Sequence, residues 1–291
     1  MKVAVASGKG GTGKTTIATN LALLLSEGEA SVGIVDCDVE EPNDHIFLKP
    51  EIEKSGPVTV AIPEVIEEKC TGCGICRDVC EFGAIAVVKE KVLIFPELCH
   101  SCGACSLFCP EAALRETPRE IGIVEEGSAG KLRVTHGLLN IGELMSPAVI
   151  SGVKEAAGRT DILIIDSPPG TSCPVIEAVK DADFILLVTE PTPFGLNDLQ
   201  LAVGMVRELD IPCAVAINRS GIGNDEVRNY CNREGIEIVL EIPDDRRIAE
   251  VYSRGEIIVH ALPEYRDAFT DGWTRITELF DQAHRGEGRK G

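Results

Sequence analysis

Aromatic side chains are scarce in this chain: Phe, Tyr and Trp make up 4% of its 291 residues, with a single Trp. Its core must be built mostly from aliphatic side chains. Positive charge is also short, with 28 Lys and Arg against 47 Asp and Glu and a formal net charge of −19. Such a surface repels a polyanion, so nonspecific DNA binding is disfavoured and no nucleic-acid partner is expected. No run reaches the ~18 apolar residues of a membrane span, and the N-terminus does not read as a signal peptide. The expectation is a cytoplasmic protein with no membrane insertion. Hydrophobic content, at 44%, is ordinary, and the length allows one large or two smaller domains. Cysteine is the exception: there are 12. In an unexported chain they point to metal or redox chemistry rather than disulfides.

Residues 7–16 read SGKGGTGKTT and fit G-x-x-x-x-G-K-[ST] from Gly8 to Thr15. The run Val3-Ala4-Val5-Ala6 before them reads as a buried strand, and residues 15–25 after them as a helix. Strand, glycine loop and helix in that order predict a phosphate cradle. Its expected members are Gly8, Lys9, Gly10, Gly11, Thr12, Gly13, Lys14, Thr15 and Thr16. Glycines let backbone N–H groups converge on phosphate oxygens, and the helix start adds partial positive charge. Lys14 should reach the β- and γ-phosphates of ATP or ADP, and the Thr15 hydroxyl should ligate Mg²⁺.

Further along, residues 31–38 (SVGIVDCD) read as a second strand ending in Asp36 and Asp38, which alternation places on one side of the strand end. Residues 161–170 (DILIIDSPPG) hold four aliphatics in a row, a parallel strand buried on both faces, with Asp166 at its end to hold Mg²⁺ through water. Strands are expected at residues 184–188, 213–217 and 236–240, with a hairpin turning at residues 127–130. Ser146 is the expected cap of a helix that has Pro147 in its first turn.

Lys9 is a second lysine inside the loop. With it, GKGGTGKTT resembles the deviant Walker A motif of the MinD/ParA/Mrp/nitrogenase-iron-protein class of ATPases. The resemblance implies Mg-dependent ATP hydrolysis in an ATP-stabilised homodimer, with Lys9 reaching the partner's nucleotide. It implies that Asp38 positions the attacking water in a first switch with Asn43, while Asp36 supports the metal. Residues 168–170 (PPG) resemble the second switch, with the Gly170 N–H near the γ-phosphate. Asn218 would contact the adenine edge beside Arg219, with Pro243, Asp244 and residues 246–253 (RRIAEVYS) completing that pocket. Residues 189–194 (TEPTPF) resemble the Mrp-type members.

Between the two switches the composition changes. Cys70-x2-Cys73-x2-Cys76-x3-Cys80 is followed by Cys99-x2-Cys102-x2-Cys105-x3-Cys109-Pro110, an internal repeat. This is the bacterial ferredoxin spacing for [4Fe–4S] clusters, in which the fourth cysteine of each copy ligates the other copy's cluster. One cluster is then expected on Cys70, Cys73, Cys76 and Cys109, the other on Cys99, Cys102, Cys105 and Cys80. Gly72, Gly74 and Gly103 would supply turns, and a hairpin would reverse at Lys89-Glu90. Zinc, the rival, usually takes two separated Cys-x2-Cys pairs. Glu81 stands where the ferredoxin run usually has proline.

The expected fold is a mostly parallel, doubly wound P-loop α/β sheet, residues 1–63 and 118–291, split by a ferredoxin-like α+β module at residues 64–117. The terminal helix carries Phe269, Trp273, Ile276 and Phe280 on one face. Its five acids, Glu264, Asp267, Asp271, Glu278 and Asp281, favour packing on its own domain over lipid. Residues 285–291 read as a frayed tail. Cys37, Cys213 and Cys231 read as structural. Cys173 is one cysteine per chain where a cluster bridging two subunits needs two, so no such cluster is expected. Three functions stay open: ATP-gated electron transfer to a redox partner, iron–sulfur or metal-centre assembly toward an apo-protein, and a ParA/MinD-type positioning ATPase, which the charge disfavours.

Overall fold

The computed structural model describes residues 1–287. In chain order the strands are β1 (Lys2–Ala6), β2 (Val32–Asp36), β3 (Glu51–Val65), β4 (Ile85–Val88), β5 (Lys91–Ile94), β6 (Leu114–Ala129), β7 (Leu132–Leu139), β8 (Ile162–Asp166), β9 (Phe184–Thr189), β10 (Cys213–Ser220) and β11 (Ile238–Pro243). Nine of them form one sheet in the order β11-β10-β9-β1-β8-β2-β7-β6-β3. The seven from β11 to β7 run parallel, and β6 and β3 are added antiparallel at one edge. The sheet is thus mostly parallel, as expected.

The central strands are apolar on both faces because both faces are covered. Ala4, Ala6, Val35 and Ile165 pack toward α5 (Ser146–Ala156), α6 (Cys173–Val179), α7 (Pro193–Glu208) and α8 (Glu226–Glu234). Val3, Val5, Ile34 and Ile164 pack toward α1 (Lys14–Ser26) and α11 (Arg266–Glu287). Phe269 and Ile276 of α11 are fully buried, with Trp273 and Phe280 partly so. That face therefore belongs to the domain's own core. Among the described residues no helix is long and apolar enough to cross a membrane. The helix runs through Glu287, and residues 288–291 of the expected tail lie outside the described residues.

The edge departs most from expectation. β3 and β6 pair from Glu51↔Ser128 to Val65↔Leu114, whereas β7 accompanies β6 only from Gly122 to Ala129. The rest of the ribbon therefore projects beyond the sheet as two strands. Pro57 and Pro63 fall on the edge strand and Pro118 on the stretch β7 does not reach, where a missing N–H breaks no central ladder. The expected turn at residues 127–130 is instead mostly strand, with the reversal at Gly130-Lys131. Gly127 is a close-approach glycine: an added Cβ would meet the Glu51 carbonyl oxygen at 2.3 Å. The expected cap Ser146 is the first helical residue; Met145 holds the cap position, without a side-chain cap bond.

At its far end the ribbon carries residues 66–113. Here α3 (Ile75–Asp78) and α4 (Ala104–Leu107) each follow a left-handed glycine, Gly74 at φ 85° and Gly103 at φ 72°. β4 and β5 form the expected hairpin, with Lys89 and Glu90 both at positive φ, as a tight two-residue turn requires. Gly72 lies against that turn, since a Cβ there would meet the Glu90 carbonyl oxygen at 2.6 Å. The local core is small: Cys76, Ile85 and Cys105, with Val79, Val92, Ile94 and Leu114 packed on it.

Candidate functional site

The glycine loop leaves the sheet at the C-terminal end of β1, where parallel sheets bind ligands. Gly11 at φ 78° and Gly13 at φ 94° turn it back into α1. An added Cβ on Gly13 would meet the Asn218 amide nitrogen at 2.2 Å, and one on Gly8 the Asp198 carbonyl oxygen at 2.2 Å. Gly11 by contrast faces open space. The helix it opens has no side-chain cap and no acid in its first turn, so its first N–H groups and dipole are free for an anion. This cradle fits a phosphate.

Behind it sit Lys14, buried, and the strand-end acids. The Thr15 hydroxyl donates to Asp166 Oδ2 at 2.6 Å, while Asp166 Oδ1 is buried without a partner. Asp166 and Asp36 are in register on β8 and β2. Asp36 accepts three backbone N–H groups: Asp38 at 3.0 Å, Asn43 at 2.7 Å and Asp44 at 3.0 Å. Asp36 thus first of all shapes the loop. Asp38 lies beyond the strand end rather than on it. The Asn43 side-chain oxygen and both Asp44 oxygens are buried without partners. Burial pushes Asp166 up to about 8 and Asp38 up to about 6, in each case with help from the Asp36 charge. Burial also lowers the Lys14 pKa against the pull of Asp166, Asp38 and Asp36. An excess of buried negative charge with unused oxygens fits Mg²⁺, whose preferred donors are oxygens.

The other expected contacts surround this loop. Gly170 donates its N–H to the Ser7 carbonyl at 3.0 Å, a bond it would have to exchange to reach a phosphate. Asn218 donates to the Thr12 carbonyl at 2.9 Å, and its oxygen accepts the Arg219 N–H. Asp244 donates its N–H to the Ser220 carbonyl, which brings Pro243 and Asp244 beside residues 218–220. Residues 246–253 form α9 (Arg246–Ser253), capped by Asp245, and the short α10 (Ile258–Ala261) follows it. Lys9 pairs with Asp198 of α7 at 3.8 Å. Cys173 is exposed at the start of α6.

Cysteines line two separate cavities. Cys70, Cys73, Cys76 and Cys109 surround one, and Cys80, Cys99, Cys102 and Cys105 surround the other. The fourth cysteine of each repeat has crossed to the triplet of the other. No cysteine is in a disulfide. Burial raises the Cys76 and Cys105 thiols above their ordinary range. Four thiols lining one cavity, with glycine-turned backbone around them, fit a thiolate-ligated metal centre.

Three features escaped the sequence reading. Asp44 follows Asn43 in a stretch whose helical start hides that its side chain turns inward. Asp198 and the half-buried Arg119–Glu143 ion pair join segments far apart in sequence, and no local pattern marks them.

A glycine loop at the end of a central parallel strand, with acids on the strands beside it, defines a P-loop nucleotide-binding protein. The family of the CobQ/CobB/MinD/ParA nucleotide binding domain matches residues 3–258, and the chain belongs to it. An uncharacterized protein of Methanocaldococcus jannaschii is 32% identical over 265 residues, covering 88% of this chain and 90% of its own. The iron–sulfur cluster carrier protein of Aquifex aeolicus is 27% identical over 280 residues, covering 90% of this chain and 62% of its own. Among solved structures, the cell division ATPase MinD of Pyrococcus furiosus superposes with a TM-score of 0.59 at 19% identity, over 96% of this chain and 98% of that one. The Pyrococcus horikoshii septum site-determining protein MinD, complexed with Mg-ADP, gives 0.56 at 19% identity, over 100% and 98%. At that identity both likenesses speak for the fold.

Proposed function

We propose that this chain is a Mg-dependent ATPase that couples its nucleotide cycle to two [4Fe–4S] clusters, carrying electrons to a partner under ATP control. The observation that carries this reading is the partition of eight cysteines into two cavities, four to each. In this reading residues 1–63 and 118–291 are the ATPase domain and residues 64–117 an inserted two-cluster module. The thiolates of each quartet would hold one cluster, which would supply one-electron chemistry. The ribbon core of Cys76, Ile85 and Cys105 is too small to order the segment alone, so bound metal would also stabilise it.

On the nucleotide side, backbone N–H groups of residues 8–16 and Lys14 bind the phosphates. Thr15 and Asp166 would hold Mg²⁺, which neutralises phosphate charge. Asp38, at the open end of its loop, orients the attacking water, and Lys9 leaves Asp198 to reach the nucleotide of a second copy. Asn218, Arg219, Pro243 and Asp244 border the base. ATP would thus close a homodimer.

Assembly or carriage of iron–sulfur centres is the second reading, favoured by the carrier proteins among the relatives, 27% identical in Aquifex aeolicus and in Pyrococcus abyssi. Anaerobic purification, iron and sulfide analysis, and EPR with ADP and with ATP test both. Two reducible clusters whose potentials move with nucleotide support gating. Transfer of the clusters to an apo-acceptor supports carriage. A protein free of iron and sulfide defeats both.

A further inference from the structure

Asp36, Asp44 and Asp166 meet directly behind the phosphate loop. Each offers a carboxylate oxygen, and these atoms lie within 4.8 Å of one another. All three residues are buried, with exposures of 1%, 0% and 1%. Their hydrogen bonds are unequal. Asp36 accepts three backbone N–H groups, and Asp166 accepts the Thr15 hydroxyl on one oxygen only. Asp44 accepts nothing on either oxygen, and Asp166 Oδ1 is likewise unpartnered.

A buried carboxylate without partners is among the costliest groups a fold can carry, and three together multiply the cost. Burial first, then the negative charges of Asp36, Asp166 and Asp38, weigh against an ionised Asp44, whose carboxyl lies at hydrogen-bonding range of the Asp166 carboxyl. Lys14 acts on Asp166, Asp38 and Asp36, and His136 on Asp36, whereas no cation is among the groups that act most on Asp44. The donors are all hard oxygens, with no thiol or imidazole among the three, which selects Mg²⁺ or Mn²⁺ over softer metals. Geometry also favours an ion over mere crowding. Asp44 opens the short helix α2 (Asp44–Leu48), and its N–H is tied to Asp36 at 3.0 Å, so its carboxylate is delivered to this spot by the same loop that Asp36 shapes.

We propose that Asp36, Asp44 and Asp166 hold a divalent cation of the Mg²⁺ class in the nucleotide-free protein, with Asp44 the ligand that makes nucleotide-independent binding possible. The site shares Asp36 and Asp166 with the Mg-nucleotide reading above and deepens that reading by adding Asp44, but it operates before any phosphate arrives. The ion then ties the loop after β2 to the end of β8.

The test uses the full chain stripped of nucleotide and metal, titrated with Mn²⁺ and followed by the EPR signal of free Mn²⁺ and by calorimetry. One saturable ion per chain, displaced by Mg²⁺, is expected. Asp44→Asn should weaken it about tenfold or more, and Asp44→Ala should abolish it. Both variants keep every cysteine, so Mn²⁺ held by thiols is counted separately. Wild-type protein that takes up no Mn²⁺ without nucleotide overturns the proposal, as does Asp44→Asn protein that binds it like wild type. ATP binding measured on the same samples separates the two readings: its loss with Mn²⁺ binding intact would sink the nucleotide assignment and spare this one.

Discussion

Replacing Glu143 with Gln tests a chain of contacts that runs from the loop after β2 toward the second cysteine quartet. Val39, next to Asp38, accepts the Leu139 N–H at 2.8 Å, and the adjoining Asn140 donates to the Ile121 carbonyl of β6 at 2.9 Å. Three residues on, Glu143 grips Arg119 of the same strand with two hydrogen bonds, one of them at 2.9 Å. The side chains are 17% exposed for Arg119 and 10% for Glu143. Arg119 lies three residues from Glu116, which lines the cavity of Cys80, Cys99, Cys102 and Cys105. Its pKa is raised first by the Glu143 hydrogen bond, with the charges of Glu97 and Cys99 adding to it. Elsewhere the connecting loop is lightly held, with Ile141 and Leu144 exposed. Breaking a buried pair by removing one charge costs ~3–5 kcal/mol. This pair is partly open to solvent, so ~2–3 kcal/mol is the reasoned cost, or a fall in Tm of roughly 4–12 °C. The released guanidinium charge should favour the more negative, reduced state of the cluster proposed on the neighbouring quartet. That cluster's potential should rise by ~30 mV or more, about 0.7 kcal/mol for one electron, and Arg119→Gln should lower it. EPR-monitored redox titration of both variants, with ADP and with ATP, reads the effect. Unchanged potentials at both clusters, with the nucleotide response of the wild type retained in Glu143→Gln, would refute the route.

Other outcomes follow from the same geometry. Lys9→Ala should cut ATP turnover about tenfold or more while ADP binding holds, if the lysine reaches a second copy's nucleotide as proposed; unchanged turnover in a coupled-enzyme assay would retire that role. Cys109→Ser and Cys80→Ser should each remove roughly half the iron, from different clusters, as distinguished by EPR; loss of one and the same signal in both variants would contradict the crossed ligation. Asp38 and Asp166 have carboxyls raised to about 6 and about 8, so these two groups hold more protons in the folded, metal-free protein than in the unfolded chain between about pH 4 and about pH 8. Its stability should therefore fall as pH rises through that window. A melting temperature in EDTA that climbed from about pH 5.5 to about pH 8 would contradict the burial argument. Phe269→Ala should cost ~3–5 kcal/mol by denaturant titration, because that ring is fully buried between α11 and the sheet.

Much of the fold was legible in the chain because its signals are local. Four aliphatics ahead of Asp166 can only be a strand covered on both sides, and a glycine loop between strand and helix has one backbone solution. The cysteine spacing works the same way: x2-x2 turns bring three thiols together within one short segment. Residues 127–130 show the limit. Gly127 looks like a turn residue, yet it is glycine because β3 passes too close for a side chain, and β3 is remote from it along the chain. The projecting ribbon was likewise hidden, since its strands flank the whole cysteine-rich stretch and its register depends on where they meet.

What the sequence by itself determined is the chemistry on offer: which loop receives phosphate, which thiols come in threes and where the parallel strands end in acids. Only the tertiary structure decided which groups face one another. It buried Asp44 against Asp36 and Asp166, set Lys9 on Asp198, and linked Val39 to Arg119 through the loop after β7. The physical reason is that covalent neighbours reveal themselves by periodicity and turn chemistry, whereas charge balance and coupling depend on distances across the sheet, which are set only when the strands close on each other.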